Sequence, residues 1–369
     1  MADTMTRIVY GVAGEGSGHS SRAREMASFL QRGGHEIRLV SYARGYENLK
    51  DDFPVTEIEG LSISTKENRV QAFHTMVDNL KKLPAGSRAL SRLRELFHTF
   101  QPQVVISDFE PMTAYLAEYY QLPLISLDNQ HRLRYVEFDT PWELETERAM
   151  TRNLVRLMVP WPSVSLVTAL VPGRPTNRRT FVYPPIVRDE VRQQSIAWEE
   201  HVLVYATQGF PSLLDLLQQF PRQTFYVYGY DRDDKDRNLH FFRSSRHGFL
   251  RHLASARGVI ATAGFTLISE SLYLGKPYLA CPMAGQFEQE LNAYQLQQIG
   301  AGMAARDLNV DRLGHFLYRL PEFSFPDAPW YRDDSDAIKK KLGALVADGA
   351  TMAREFKERR DELSQPPAS

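Results

Sequence analysis

Two groups of polar residues in this chain have types and spacing suited to chemistry. The first is the run Gly14-Glu15-Gly16-Ser17-Gly18-His19, which follows an apolar stretch and precedes a helical pattern. Glycines between a strand and a helix let a ligand approach the backbone closely. A histidine at a helix N-terminus is favoured in its neutral form, able to take a proton from a hydroxyl. Asp108 closes a later apolar run. A carboxylate there could hold the second ring nitrogen and balance the imidazolium formed on proton transfer. Aspartate is also a common helix cap, and a helix starting at Pro111 could use it as one.

The second group lies in the stretch 257–302. A short apolar run, 259–261, breaks at Thr262-Ala263-Gly264, where small residues allow a sharp turn. A helical pattern runs from Phe265 to 274 and stops at Gly275 with Pro277 beyond. A second apolar run, 278–281, ends at Pro282. This is a strand–turn–helix–strand unit of a parallel sheet, with its turn at the strand's carboxyl end, where such sheets bind ligands. The free N–H groups of Gly264, Phe265 and Thr266 would suit a phosphate. Glu270, one turn into the helix, could accept hydrogen bonds from a ribose. Glu288, Gln289 and Asn292, after the second strand, offer acceptors and donors together, as a polyhydroxyl ligand requires.

These residues need a scaffold, and the chain alternates strand and helix patterns in two series. The first has strands at 7–12, 37–41, 103–107, 122–127 and 164–170, with helical patterns at 20–31, 70–100 (broken near Pro84), 111–120 and 142–158. The fourth strand of this series, 122–127, ends in Asp128-Asn129-Gln130, a second acid–amide cluster. A stiff polar segment, 173–185, reads as the interdomain hinge. The second series has strands at 202–206, 224–229, 259–261 and 278–281, and 231–237 reads as a charged surface loop. After Gly300 the sheet signal fades, and 334–363 is a long charged amphipathic helix pattern. The expected architecture is α/β, with two Rossmann-like, doubly wound domains over 1–180 and 188–333 and a cleft between them. The terminal helix is expected to return to the first domain.

Composition narrows the partners. At 369 residues the chain exceeds the size at which a single core stops growing. Forty-four basic and 45 acidic residues leave a net charge of −1, which gives no field to attract nucleic acid. The one cysteine, Cys281, cannot form an internal disulfide and reads as a core thiol. The N-terminus lacks a signal-peptide core, and the apolar region 154–171 is broken by Arg156, Pro160 and Pro162. The chain reads as cytoplasmic, with peripheral membrane contact through that region left open. The glycine loop lacks the GxGxxG spacing, and Ser41-Tyr42-Ala43-Arg44 follows the second strand in place of a ribose-binding acid, which disfavours a nicotinamide cofactor.

The ordered set Gly264, Glu270, Glu288-Gln289 and Asn292 resembles the donor-binding motif of GT-B nucleotide-sugar glycosyltransferases, particularly the UDP-glycosyltransferases and the lipid II-forming GlcNAc transferases. The resemblance extends to the first half. Gly18-His19 and Asp108 match the base and its supporting aspartate in the plant enzymes. The glycine loop of Gly16, Ser17 and Gly18, the cluster Asp128-Asn129-Gln130 and the loop Thr207-Gln208-Gly209 match the lipid II-forming family. Thr262 stands where the plant enzymes have a histidine, and Glu288 where they have an aspartate. Their base-stacking tryptophan is missing, and the corresponding segment offers Arg246, His247 and Phe249.

The resemblance implies an inverting transfer of a sugar from a UDP- or dTDP-sugar to an acceptor hydroxyl, with no resident cofactor and no obligatory metal. His19 would be the base and Asp108 its partner. Ala263 to Thr266 and Thr207 to Gly209 would hold the diphosphate, Glu270 the ribose, and Glu288 and Gln289 the sugar. Two rivals share the fold: a nucleotide-sugar epimerase recruiting Asp108, Glu110 and Glu288, and a regulatory protein that binds the nucleotide without chemistry. Nothing in the sequence names the acceptor.

Overall fold

A computed structural model describes residues 5–59, 88–206, 211–243, 245–323, 325, 329–331 and 335–349. The chain divides into two compact units, Met1–Tyr183 with Ser335–Ser369, and Pro184–Asp334.

The first unit is built on a seven-stranded parallel sheet. Its strands run from one edge to the other as Val55–Glu57, Glu36–Ser41, Arg7–Val12, Val104–Asp108, Leu124–Asp128, Val164–Thr168 and Thr180–Tyr183. The central strands are buried along their whole length, as expected where helices cover both faces. Strand order reverses at Arg7–Val12, which has Glu36–Ser41 on one side and Val104–Asp108 on the other. Such a reversal opens a crevice at the carboxyl ends of the strands. The helix Asp336–Ala347 belongs to this unit although it follows the second in sequence. It buries Ile338, Leu342, Leu345 and Val346. Its Lys339 Nζ donates to Glu25 Oε1 at 2.6 Å, both side chains being about nine-tenths buried.

The second unit carries another seven-stranded sheet, in the order Lys235–Asp236, Leu239–Phe242, Phe225–Tyr228, Val202–Tyr205, Gly258–Ala261, Tyr278–Ala280 and Gly302–Ala304. All neighbours are parallel except the first pair. Order reverses at Val202–Tyr205, between Phe225–Tyr228 and Gly258–Ala261. Below the sheet, Leu216, Leu217, Phe225, Leu313 and Phe316 share one apolar core.

The structure departs from the sequence reading in several places. Thr180–Tyr183 is an edge strand of the first sheet, and Arg174–Pro175 pairs with Val136–Glu137, so the polar segment lies inside the first unit. The segment 231–237 is not all loop, because Lys235–Asp236 turns back onto Leu239–Phe242, a strand the alternation did not reveal. Sheet and helix continue past Gly300 as Gly302–Ala304 and Val310–Arg319, the latter capped by Asn309, whose side chain accepts from Arg312 N. Of the helical pattern at 70–100 only Arg88–Phe100 lies among the described residues, and of that at 334–363 only the part up to 349.

Candidate functional site

In the first unit the candidate residues meet at the crevice where strand order reverses. Val12 pairs with Asp108, and Ala13 N donates to Asp108 O at 3.0 Å, so the sheet register itself sets Asp108 beside the glycine loop. Gly16 and Ser17 are exposed, and Gly18 opens the helix Gly18–Arg32. His19 Nδ1 lies 2.6 Å from Asp108 Oδ1. Two lone pairs would repel at that distance, so Nδ1 carries the proton and donates it. The other ring nitrogen, Nε2, then has the lone pair. Asp108 is fully buried, while the His19 side chain keeps 16% of its exposure. The carboxylate is inside and the imidazole is partly exposed.

Arg22, which the sequence reading passed over, completes the group. It lies one turn after His19 and therefore on the same helix face. Its Nε donates to Asp108 Oδ2 at 2.7 Å and its Nη2 to Oδ1 at 2.6 Å, a side-on grip on the whole carboxylate. Nη1 reaches Asn129 Oδ1 at 3.4 Å. Burial alone would push the Asp108 carboxyl up, but the charges of Arg22 and His19 and the hydrogen bonds from both outweigh it and hold the carboxyl below its ordinary range.

Asp108 does not cap the following helix. Phe109 takes a φ of 58°, and Glu110 becomes the cap, accepting from Met112 N at 2.8 Å and Thr113 N at 2.7 Å. Those bonds, with one from Thr113 Oγ1, occupy the buried Glu110 carboxylate within its own turn, and its carboxyl is raised by burial. Glu110 is therefore a structural acid and does not serve an epimerase. The second cluster is also internal. Asp128, Asn129 and Gln130 are all buried. Asp128 accepts from His131 N at 2.8 Å and from His131 Nδ1 at 2.7 Å.

In the second unit the turn 262–264 joins Gly258–Ala261 to the helix Phe265–Tyr273. It is fixed from beneath. Tyr278 Oη donates to Thr262 O at 2.7 Å, and the buried Asn292 Nδ2 donates to Ala263 O at 2.9 Å. Asn292 thus supports the turn and is not itself presented to a ligand. Gly264 has an ordinary φ of −70°, and a methyl added to it would meet nothing within 4 Å. No side chain caps this helix start, and the positive end of the helix dipole there favours an anion.

Glu270 is nearly buried, and Arg188 Nε and Nη2 both lie 2.7 Å from its Oε1. Arg188 immediately precedes the short helix Asp189–Arg192, a few residues after the chain enters this unit. Glu288 and Gln289 sit in the first turn of the helix Phe287–Ile299. Gln289 closes its own loop, accepting from Met283 N at 3.0 Å and donating to Gln286 Oε1 at 2.5 Å. Arg246 and His247 open the helix Arg246–Ser255, and the Phe249 ring stands edge-on to Tyr205 and Tyr228. Thr207, Gln208 and Gly209 lie outside the described residues. At the reversal of strand order a cavity of about 480 Å³ is lined by Tyr205, Ala206, Thr262, Cys281, Pro282 and Arg306, among others. Burial pushes the Cys281 thiol up to about 12, which keeps it protonated at neutral pH. Among the described residues no group of three or more His, Cys, Asp or Glu side chains is placed to hold a metal, and no helix is long and apolar enough to cross a membrane.

Arg22 and Arg188 each grip a carboxylate more than 80 positions away, and no local spacing announces such pairs. The only signal for Arg22 was its place three residues after His19.

Two Rossmann-like units of this kind, each with its candidate residues at the carboxyl ends of parallel strands, are those of a GT-B glycosyltransferase. A family model described as Glycosyl transferase family 1 matches residues 6–321, and the chain belongs to that family. A glycosyltransferase of Methanosarcina acetivorans, described as uncharacterized, is 24% identical over 328 residues, spanning 80% of this chain and 84% of the relative. Among solved structures, the calicheamicin glycosyltransferase CalG4 superposes with a TM-score of 0.62 at 14% identity, over 99% of this chain and 100% of that one. SsfS6, a glycosyltransferase of Streptomyces sp. SF2575 solved in complex with thymidine diphosphate, gives a TM-score of 0.56 at 15% identity, over 96% and 99% of the two chains.

Proposed function

We propose that this glycosyltransferase inverts the anomeric centre of a nucleoside diphosphate sugar, with His19 as the general base. The observation that carries the reading is the 2.6 Å bond between His19 Nδ1 and Asp108 Oδ1, which leaves Nε2 to accept a proton. In the step proposed, Nε2 takes the proton of an acceptor hydroxyl as that oxygen attacks the anomeric carbon. The bond from the anomeric carbon to the diphosphate breaks on the opposite face, and the nucleoside diphosphate leaves with the bonding pair. Asp108 offsets the charge that His19 gains.

The helix start at Gly264 to Thr266 is assigned to the departing diphosphate, whose charge grows as the bond breaks. Glu270 is assigned to the ribose, and Glu288 and Gln289 to the sugar, Gln289 exchanging its loop bonds for ligand bonds. Residues 207–209 are assigned to the diphosphate on the family resemblance. A UDP- or dTDP-sugar is the proposed donor, the first on the family resemblance and the second supported by SsfS6 with its thymidine diphosphate.

The test is turnover of UDP- and dTDP-sugars with a panel of hydroxyl acceptors, the product's anomeric configuration being read by proton NMR. Inversion is expected. The His19→Ala variant should lose about 10²–10⁴-fold in kcat while still showing a nucleotide-induced thermal shift. Retention of configuration, or a His19→Ala enzyme of undiminished activity, would sink the reading.

A further inference from the structure

We propose that Arg22 is a positioning residue for this chemistry, fixing the plane of the Asp108 carboxylate against His19 and sharing its negative charge. The inference rests on the reading of His19 as the base.

The geometry is specific. Arg22 is 6% exposed, and its side-on fork takes both carboxylate oxygens. Oδ1 therefore receives two donors, Arg22 Nη2 and His19 Nδ1, each at 2.6 Å. Nη2 and Nδ1 stand 3.2 Å apart because they converge on the same oxygen. A carboxylate held by histidine alone could rotate about its last bond and swing Oδ1 away from the ring. Arg22 removes that freedom, and Asn129 Oδ1 steadies the guanidinium from the far side at 3.4 Å.

The charge consequence is equally direct. Asp108 and Arg22 form a nearly neutral unit, both side chains being buried. The imidazolium formed in the reaction therefore faces a dipole in place of a full negative charge. The other groups around the pair are the Tyr10 hydroxyl from Arg7–Val12, and Asp128 with its partner His131 at the end of Leu124–Asp128. Loss of Arg22 would leave the Asp108 charge to His19 alone, and an unshared carboxylate favours a protonated imidazole, which cannot act as a base.

The experiment is the pH dependence of kcat/KM for the full-length enzyme and its Arg22→Met and Arg22→Lys variants. Arg22→Met should move the acid limb up by about one pH unit, with a plateau lowered by no more than about a hundredfold. Arg22→Lys keeps the charge without the fork, so its limb should stay in place while its plateau drops. Plateaus scaled in both variants with every limb unmoved would overturn the proposal. Should Arg22→Met fail to fold, Arg22→Lys is compared in the wild-type and Asp108→Asn backgrounds. A loss confined to the wild-type background is expected, and equal losses in both would overturn the proposal. An active His19→Ala enzyme would instead remove the reading on which it rests, whatever Arg22 does.

Discussion

The glycines near the candidate residues of the two units look alike in sequence and differ in what they serve. In the first unit, a methyl added to Gly14 would lie 2.0 Å from the Tyr42 carbonyl oxygen, and one added to Gly11 would lie 2.0 Å from Thr113 Oγ1. These glycines are required by the protein's own packing. In the second unit, Gly264 has unremarkable backbone angles and open space before it. Nothing among the described residues asks for a glycine there, and the proposed donor gives it a reason. The carboxylates divide in a similar way. Asp108 is fully enclosed and shared between Arg22 and the His19 imidazole, whereas Glu270 is gripped by an arginine that keeps 16% of its exposure. A polar residue in a motif therefore says where a site is, and its enclosure says whether the protein or the ligand depends on it.

The contrast can be broken in order of expected effect. Asp108→Ala leaves the Arg22 charge buried without its partner and should cost about 3–5 kcal/mol in denaturant unfolding. Glu270→Ala leaves Arg188 near water and should cost less, about 1–3 kcal/mol. Equal costs would erase the distinction between the two carboxylates. Gly14→Ala must displace the backbone at Tyr42 and should destabilise by about 1–3 kcal/mol. Gly264→Ala should leave the midpoint of unfolding within about 0.5 kcal/mol of wild type yet weaken the thermal shift produced by UDP or dTDP. A variant that unfolds early, or one that binds nucleotide normally, would remove the ligand as the reason for that glycine.

The smallest effect concerns acid. Burial, and then His201 and Arg251, push the His252 imidazole down to about 4, and burial lowers His201 as well. An unfolded histidine titrates near 6.5. As pH falls from about 6.5 towards 4, the unfolded chain takes up protons that the folded second unit refuses, so stability present above this window is lost through it. Denaturant titrations of the full chain at several pH values should show that slope, and His252→Phe should flatten it. An unchanged slope in the variant would contradict the assignment.

Much of this was legible in the sequence. Continuous apolar runs ending in a small or acidic residue marked the central strands, because strands covered on both faces tolerate little else. His19, Asp108, Gly264 and Glu270 stood out because each sits at the carboxyl end of such a strand or one turn beyond it. Three kinds of feature escaped. Gly302–Ala304 is three residues long, too brief for a period to show. Leu239–Phe242 was hidden by the polar run before it, which turns back on the strand as an edge. Arg22 and Arg188 were passed over because an arginine on a helix or in a loop is ordinarily solvated, and their partners lie 86 and 82 positions away. The helix Val310–Arg319 is the exception. Its asparagine cap and its spacing of Val310, Leu313, Phe316 and Leu317 were there to be read.

The pair of Lys339 and Glu25 ties the helix that bears His19 to the helix Asp336–Ala347, across 314 positions of sequence. On the ribosome, Glu25 emerges early and its partner only after the whole second unit has been made. The first unit thus begins folding first and finishes last, while the second is a continuous insert that can complete itself in between. The order of synthesis thereby delays the last brace of the helix that carries His19 until the second unit, with its proposed donor turn, has already been built.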